Sequence, residues 1–442
     1  MDARRYTQLR GMPVIVVVGG GFAGVAVARR LERRLGPAEA RIVLVSRNNY
    51  SLFTPMLPEV TSGELEVRHV VTPIREQLHT AQFILADVEA IDIKEHAVRY
   101  RHVLTRIVST QTFDQLVLAL GSSTSTFGLP GVAENTWALK TLADADALRN
   151  HLVWLLEMAD TIADDERRER LLCVTIVGGG FTGVETAGEI AGLFRSVVPL
   201  YKNLRANRPK IVLVEAGTAL LAGLPAKMGE YSRRVLQRKG VEVVLGDGVA
   251  AADEHSLTLQ SGRHIATETI VWSAGVKPSP FLAATSLPMN RHGAIRTGRD
   301  MRVEGVSGVW ALGDCAAIPD GEGGTYPMTA QHAIREGPLC ADNIVAVLHG
   351  TPTTSFVYRA LGMMAALGGR KAVAQLPGER VITGFVAWFL WRTYYLLRLP
   401  GLERKLRVAF DWTIDLMFPR DTAELRFGAR QEERGEEMAR HA

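Results

Sequence analysis

Two short glycine runs are the residues best placed to do chemistry. Gly19-Gly20-Gly21-Phe22-Ala23-Gly24 and Gly178-Gly179-Gly180-Phe181-Thr182-Gly183 repeat one spacing, G-x-G-x-x-G. In each, the first glycine permits a tight turn and the second lets main chain approach a pyrophosphate. The third lets the following helix pack against the preceding strand. The free N–H groups and positive dipole of that helix then face the phosphates. Such a fingerprint alone is weak, and its flanks decide. Val14 to Val18 is a continuous β-branched run that reads as a buried parallel strand, and Val25 to Leu35 reads as the helix. Val174 to Val177 and Val184 to Leu193 play the same parts around the second run. Two complete fingerprints in one chain point to two dinucleotides.

The strand that follows each fingerprint should end in an acid that grips a ribose hydroxyl. Arg41 to Val45 ends instead in Ser46-Arg47, so either Ser46 and main chain hold that ribose or Arg47 takes over contacts to the ligand. Ile211 to Val214 ends in Glu215, which accepts from a 2′-hydroxyl and repels a 2′-phosphate. No arginine follows in Ala216-Gly217-Thr218, so the second site is expected to take NADH over NADPH. One tightly held flavin and one diffusing nicotinamide is the simplest division of labour.

Three further strands place the flavin first in sequence. Gln115 to Leu120 ends at Gly121, Ile270 to Ala274 ends at Gly275, and Val309 to Leu312 ends at Gly313-Asp314, where an aspartate can bind the ribityl hydroxyls of FAD. The expected fold is α/β, with two Rossmann-type domains, the NADH domain inserted in the FAD domain. The boundaries are 12–135 and 291–375 for FAD and 136–290 for NADH. A C-terminal membrane-association segment follows at 376–427, then a mobile tail at 428–442. The helix linking the two domains is expected to start at Thr141 as N-cap, with Leu142, Ala145, Leu148, Leu152 and Leu155 on one face.

Composition narrows the classes. The 442 residues are 47% hydrophobic and 22% charged, which is globular. A formal net charge of +4, with no dense basic stripe, argues against nucleic acid as a partner. Cys173, Cys315 and Cys340 lie far apart without metal-ligand spacing, so no metal site is expected. Met1 to Met12 is polar and basic and lacks an apolar signal core, so export is not expected. No apolar run reaches the roughly 18 residues of a spanning helix.

Membrane contact must then come from one side, and the C-terminal segment is built for it. Gly384 to Leu399 carries Phe385, Trp388, Phe389, Trp391, Tyr394 and Tyr395, with Arg392 and Arg398 its only charges. After Pro400-Gly401 a second helix is expected. Leu402, Leu406, Ala409, Phe410, Trp412, Leu416 and Met417 fall on one side, and Glu403, Arg404, Arg407, Asp411 and Asp415 opposite. Aromatic and arginine side chains beside an apolar face are the composition of an interfacial helix. Packing on the protein core or on a second copy would use the same pattern.

On these residues the chain resembles the type II, non-proton-pumping NADH:quinone oxidoreductases of the pyridine nucleotide-disulfide reductase superfamily, over roughly residues 12 to 427. Asn49 to Pro58, Gly180 to Glu185, Gly313-Asp314-Cys315-Ala316 and Thr329 to Ala333 carry the resemblance. It implies that Gly19, Gly21, Gly24, Arg47, Gly121 and Asp314 hold FAD, and that Gly178, Gly180, Gly183, Glu215 and Gly275 hold NADH. It makes Glu185 either a proton relay towards quinone or an anchor for the nicotinamide ribose or amide. Gln331 corresponds to a quinone-pocket glutamine, or serves the start of its helix. A second glutamine, frequent four residues later, is here Arg335. The stretch Ser46 to Glu66 lacks the redox cysteine pair of the disulfide and sulfide branches.

The expected enzyme is peripheral on the cytoplasmic face of the cell membrane, with a membrane quinone as partner and a homodimer compatible with the pattern. A soluble FAD-dependent NAD(P)H reductase of a ferredoxin-like carrier is the alternative. A redox-sensing protein that binds both nucleotides but barely turns over is a third reading.

Overall fold

A computed structural model describes residues 11–204, 208–359, 362–378 and 380–423. The tail expected at 428–442 lies outside these residues, as does most of the polar N-terminus. The chain forms two compact units. The first is built from Met1–Leu52, Val71–Thr124 and Val276–Ala360, the second from Phe53–Val70, Ser125–Gly275 and Leu361–Ala442. The switches between units therefore fall at 124/125 and 275/276, upstream of the expected 135/136 and 290/291. Phe53–Val70 and the C-terminal segment belong with the second unit.

In the first unit a seven-stranded sheet runs Val309–Ala311, Gln115–Leu118, Val14–Val18, Arg41–Ser46, Gln82–Asp92, Ala97–His102, Val108–Thr112. The first five are parallel and the last two antiparallel. Val14–Val18 sits between strands reached from opposite directions along the chain, which makes its carboxyl end a topological switch point where ligands bind. Its residues Ile15 to Val17 are fully buried, as a strand covered on both faces requires. Helix Phe22–Arg34 packs against helix Ala330–Leu348, with Gly337 where a larger residue would meet Ala26. The chain leaves and re-enters this unit through an antiparallel ribbon, Ser122–Thr124 with Val276–Pro278.

The second unit repeats the logic with an all-parallel five-stranded sheet, ordered Trp137–Ala138, Thr269–Trp272, Cys173–Val177, Lys210–Glu215, Val241–Leu245. The linking helix is Leu142–Thr161. Thr141 caps it: its hydroxyl accepts from the Asp144 N–H, and the Asp144 side chain accepts back from the Thr141 N–H. Such a box is worth about 1 kcal/mol. Ala145, Leu148, Leu152 and Leu155 are buried, as their spacing predicts.

The same unit holds the antiparallel sheet Met364–Ala366, Ala372–Gln375, Val381–Gly384 and two amphipathic helices, Phe385–Arg398 and Leu402–Asp415. Their faces differ from the expected division. Trp412 does not join the outward apolar stripe. With Val408 it is buried on the protein side, its indole N–H donating to Glu59 Oε1 at 3.1 Å. Arg392 also faces inward, its guanidinium 4.3 Å from the Trp388 ring and 4.5 Å from the Trp412 ring, and paired with Glu64. Leu402, Leu406 and Phe410 are 73%, 62% and 65% exposed. No helix among the described residues is long and apolar enough to cross a membrane.

Candidate functional site

Each set of glycines forms a cradle at the carboxyl edge of its own sheet. In the first unit Gly19 turns the chain at φ +114°, a conformation that side chains resist. A methyl on Gly24 would overlap the Gly19 carbonyl oxygen, which is how helix and strand pack so closely. Gly21 differs. It is the N-cap of helix Phe22–Arg34, in extended conformation, and a methyl there would meet no atom within 4 Å. The space beside it is open at a helix N-terminus, as a pyrophosphate needs.

The strand ends beside this turn carry the other predicted residues. Ser46 packs on Gly20, where a methyl would lie 2.6 Å from its hydroxyl, as Glu215 packs on Gly179 in the second unit. Arg47 is exposed and pairs with Asp87 at 3.2 Å. Gly121 has φ +66° with open space beside it. Asp314, after Val309–Ala311, accepts the Ser122 hydroxyl at 2.6 Å. All six residues expected to hold FAD are thus brought to one edge of one sheet, and the cradle fits that group.

One residue of this site escaped the sequence. Glu336, buried in helix Ala330–Leu348, accepts the Gly313 N–H at 2.7 Å and fixes the turn that presents Asp314. Burial pushes its carboxyl up to about 7, against the pull of that N–H. Its setting among small residues of one helix, Ala333 and Gly337, was the signal available in the sequence.

Gln331 lies near the start of that helix. Its side-chain oxygen accepts from the Tyr358 hydroxyl at 3.1 Å, and its main-chain oxygen accepts from Arg335 at 2.8 Å. The Arg335 guanidinium sits 4.3 Å over the Tyr358 ring. Arg335 therefore braces Gln331 and Tyr358 as one group.

In the second unit Gly178 has φ +109° and a methyl on Gly183 would overlap the Gly178 carbonyl oxygen, the same two constraints repeated. Gly180 is the extended N-cap of helix Phe181–Val197, again with nothing within 4 Å of an added methyl. Glu215 ends strand Lys210–Glu215, where the ribose acid belongs. Its carboxylate accepts from Gly179 N–H at 2.5 Å and Gly217 N–H at 2.6 Å. Gly275 follows strand Thr269–Trp272, and an exposed Phe127, held at φ +54°, lies over it so closely that a methyl would meet the ring at 2.6 Å. Phe127 was not singled out from the sequence.

Glu185 lies just inside helix Phe181–Val197, in the second unit, whereas Gln331 lies in the first. Glu185 is buried, and Oε1 accepts from the Ala366 N–H at 3.0 Å. Burial pushes its pKa up to about 8, opposed by that N–H and by the nearby Trp391 indole, which itself falls outside hydrogen-bond geometry. Cys173, Cys315 and Cys340 are buried free thiols. Burial pushes Cys315 up to about 12, so it is an inert neutral thiol at physiological pH.

Two pyrophosphate cradles, each at the parallel strands of its own sheet, define a two-dinucleotide oxidoreductase. Residues 13–337 match the family model described as pyridine nucleotide-disulphide oxidoreductase, and residues 361–421 match the NDH2 C-terminal domain. The chain belongs to this family, in its type II NADH:quinone oxidoreductase branch, and its cofactors are FAD and NADH. The type II NADH:quinone oxidoreductase Ndh of Mycobacterium tuberculosis is 32% identical over 421 residues, spanning 92% of this chain and 88% of that protein. An internal alternative NAD(P)H-ubiquinone oxidoreductase of Arabidopsis thaliana is 31% identical, spanning 93% and 86%. The demethylphylloquinone reductase NdbB of a Synechocystis species is 32% identical, spanning 90% and 95%. The solved NDH2 of Plasmodium falciparum in complex with NADH shares the fold, with a TM-score of 0.85 over 93% of this chain and 99% of that one at 20% identity.

Proposed function

We propose that the chain oxidises NADH with a membrane quinone, by the balance NADH + H⁺ + Q → NAD⁺ + QH₂, without pumping protons. The observation that carries this reading is the pair of complete cradles, each closed by two buried glycine contacts and each open at its N-cap glycine. FAD, when bound, accepts hydride from NADH and passes two electrons on; that chemistry belongs to the cofactor. Gly19, Gly21, Gly24, Arg47, Gly121 and Asp314 would hold FAD, and Gly178, Gly180, Gly183, Glu215 and Gly275 would hold NADH. Glu215 would accept from the ribose hydroxyls, exchanging its present N–H partners for the ligand.

Between the two readings of Glu185, the structure favours a proton donor. With its pKa pushed up to about 8, the carboxyl holds its proton at neutral pH, as a donor to quinone must. Gln331, oriented by Tyr358 and Arg335, is the proposed quinone contact. The test is turnover of the detergent-purified holoenzyme with a short-chain quinone. NADH should be oxidised rapidly and NADPH at least roughly 100-fold less efficiently, the discrimination expected when the half-buried Glu215 carboxylate faces an extra phosphate. An enzyme that NADH bleaches but quinone cannot recolour would overturn the reading and favour a protein acceptor.

The exposed apolar face of helices Phe385–Arg398 and Leu402–Asp415 is the proposed membrane contact, and the proposed association is monotopic. Burying a leucine or phenylalanine is worth about 1.5–3 kcal/mol. Leu406→Asp with Phe410→Asp is therefore expected to weaken binding to phospholipid vesicles about 100-fold or more, measured by flotation. Reduction of a water-soluble quinone should persist, because both residues point away from the buried side. Unchanged flotation would assign this face to another surface.

A further inference from the structure

The second unit contains a cavity of about 210 Å³, bounded by helix Phe181–Val197, the turn after the short helix Leu57–Thr61, the loop Gly368–Arg370 and the two C-terminal helices. Glu59, Glu64 and Glu189 line it, all less than 8% exposed. Glu189 stands one helical turn beyond Glu185. Two of these acids are satisfied: Glu64 by Arg392 and Arg420, Glu189 by Arg420 and the Ser62 hydroxyl. Glu59 is not. Its Oε1 accepts from Trp412, but its Oε2 has no hydrogen-bond partner among the described residues.

A buried carboxyl oxygen without a partner costs about 1–3 kcal/mol, which water or a bound proton removes. A water needs roughly 10–15 Å³ of such space and two to four polar partners, so the cavity admits several. Burial pushes Glu59 well above its ordinary range, with Glu64 and Glu189 adding to it and Arg392 opposing. Glu59 lines the cavity, and burial biases its carboxyl towards the protonated, proton-donating form. The same cavity is lined by Ala366, whose N–H donates to Glu185 Oε1, and by Trp391, so Glu185 stands directly behind its wall. Lys239, Arg195, Arg370 and Asp415 complete the charged lining.

Each turnover consumes one proton from water. A buried donor that has given its proton must be reloaded, and an ion crosses a dry interior only at a cost of several kcal/mol. We propose that this cavity is a water-filled proton inlet and that Glu59 takes protons from its water and passes them to Glu185. The inference rests on the reading of Glu185 as a donor. In the transfer, the Glu59 carboxyl loses a proton as the Glu185 carboxylate gains one. Glu59 then recovers its proton from hydronium in the cavity, leaving water.

The holoenzyme and its Glu59→Gln, Glu59→Asp and Glu185→Gln variants test this. Glu59→Gln keeps an acceptor for Trp412 but carries no proton. Bleaching by NADH should be unchanged, and recolouring by a short-chain quinone should slow roughly 10- to 100-fold, at or below the lower end of general-acid effects. Millimolar imidazole should restore the rate, and Glu59→Asp should retain most of it. Infrared spectra should show a protonated-carboxyl band that shifts promptly in D₂O and is absent in Glu59→Gln. A slow Glu185→Gln beside a normal Glu59→Gln overturns the inlet and leaves the donor standing. Two normal variants overturn both. A slow Glu59→Gln that imidazole does not rescue is a structural loss and overturns the inlet. Should Glu59→Gln not fold, failure of the unsubstituted enzyme's band to shift in D₂O overturns it equally.

Discussion

Gly180→Val is expected to abolish NADH oxidation while leaving the protein folded and its flavin bound. Gly180 has extended φ and ψ that valine adopts readily, and an added methyl meets nothing within 4 Å. The folded chain should therefore tolerate the change. A pyrophosphate bound at this helix N-terminus would not, because the branched side chain occupies the space its oxygens need. Losing two charge-assisted hydrogen bonds at about 1.5–3 kcal/mol each weakens NADH use roughly 10²- to 10⁴-fold. Melting temperature and flavin content should match the parent, and dithionite should still bleach the flavin. The mirror variant, Gly21→Val, should purify without flavin. Gly183→Ala is the contrasting control, since its methyl would overlap the Gly178 carbonyl and disturb the turn itself. A Gly180→Val enzyme with the parental KM for NADH would falsify the assignment of this cradle.

These cradles were legible because their physics is local. A parallel strand covered on both faces reads as an unbroken β-branched run, and Val14–Val18 has the expected limits. The glycines at 19, 24, 178 and 183 are forced by turn geometry and helix packing within a few residues. The antiparallel extension Ala97–His102 and Val108–Thr112 escaped notice because its outer strand is mostly exposed and carries no apolar run. Trp412 was assigned to the wrong face because helical spacing shows which residues share a side but not which side meets the protein. Residues 408 and 412 form an inward pair beside the outward stripe of 402, 406 and 410. The buried ionic cluster was out of reach for a different reason. Glu64, Glu189, Arg392 and Arg420 come from distant stretches, and charged residues are ordinarily exposed. Only the tertiary fold, by closing the C-terminal helices over helix Phe181–Val197, gives each of them a reason to be there.

Arg420 joins that cluster to the end of the C-terminal segment, and Arg420→Ala should be among the most destabilising single changes in the chain. Its guanidinium donates to Glu64 Oε2 at 2.7 Å, Glu189 Oε2 at 3.0 Å and Asp415 Oδ1 at 3.0 Å, and to the Glu189 main-chain oxygen at 3.1 Å. Its own N–H donates to the Ser196 hydroxyl at 3.0 Å. Removing one partner of a buried ion pair typically costs about 3–5 kcal/mol, because the charge left behind is desolvated and unpaired. The pH dependence has a definite sign. Burial drives Glu189 up, but Arg420 and Lys239 outweigh it and leave the carboxyl below its ordinary 4.5. That depressed pKa contributes stability above the unfolded value. Without Arg420 the contribution reverses: burial would raise Glu189, its largest opposing cause gone, and Glu64, already pushed up to about 8 by burial and Glu189, would rise further. Folded carboxyls would then bind protons that unfolded ones release above about pH 4.5, so stability falls as pH rises. The deficit of Arg420→Ala should be smallest near pH 5 and largest near pH 8, measured by thermal melting in detergent. Arg420→Lys should recover only part of it, since one ammonium cannot reproduce the fork that reaches three carboxylates. Early proteolytic cleavage near Leu416 in the alanine variant would report release of the same clasp. Equal melting of parent and variant at both pH values would mean that the C-terminal helices are held by their apolar contacts alone, Trp391, Val408 and Trp412 foremost among them.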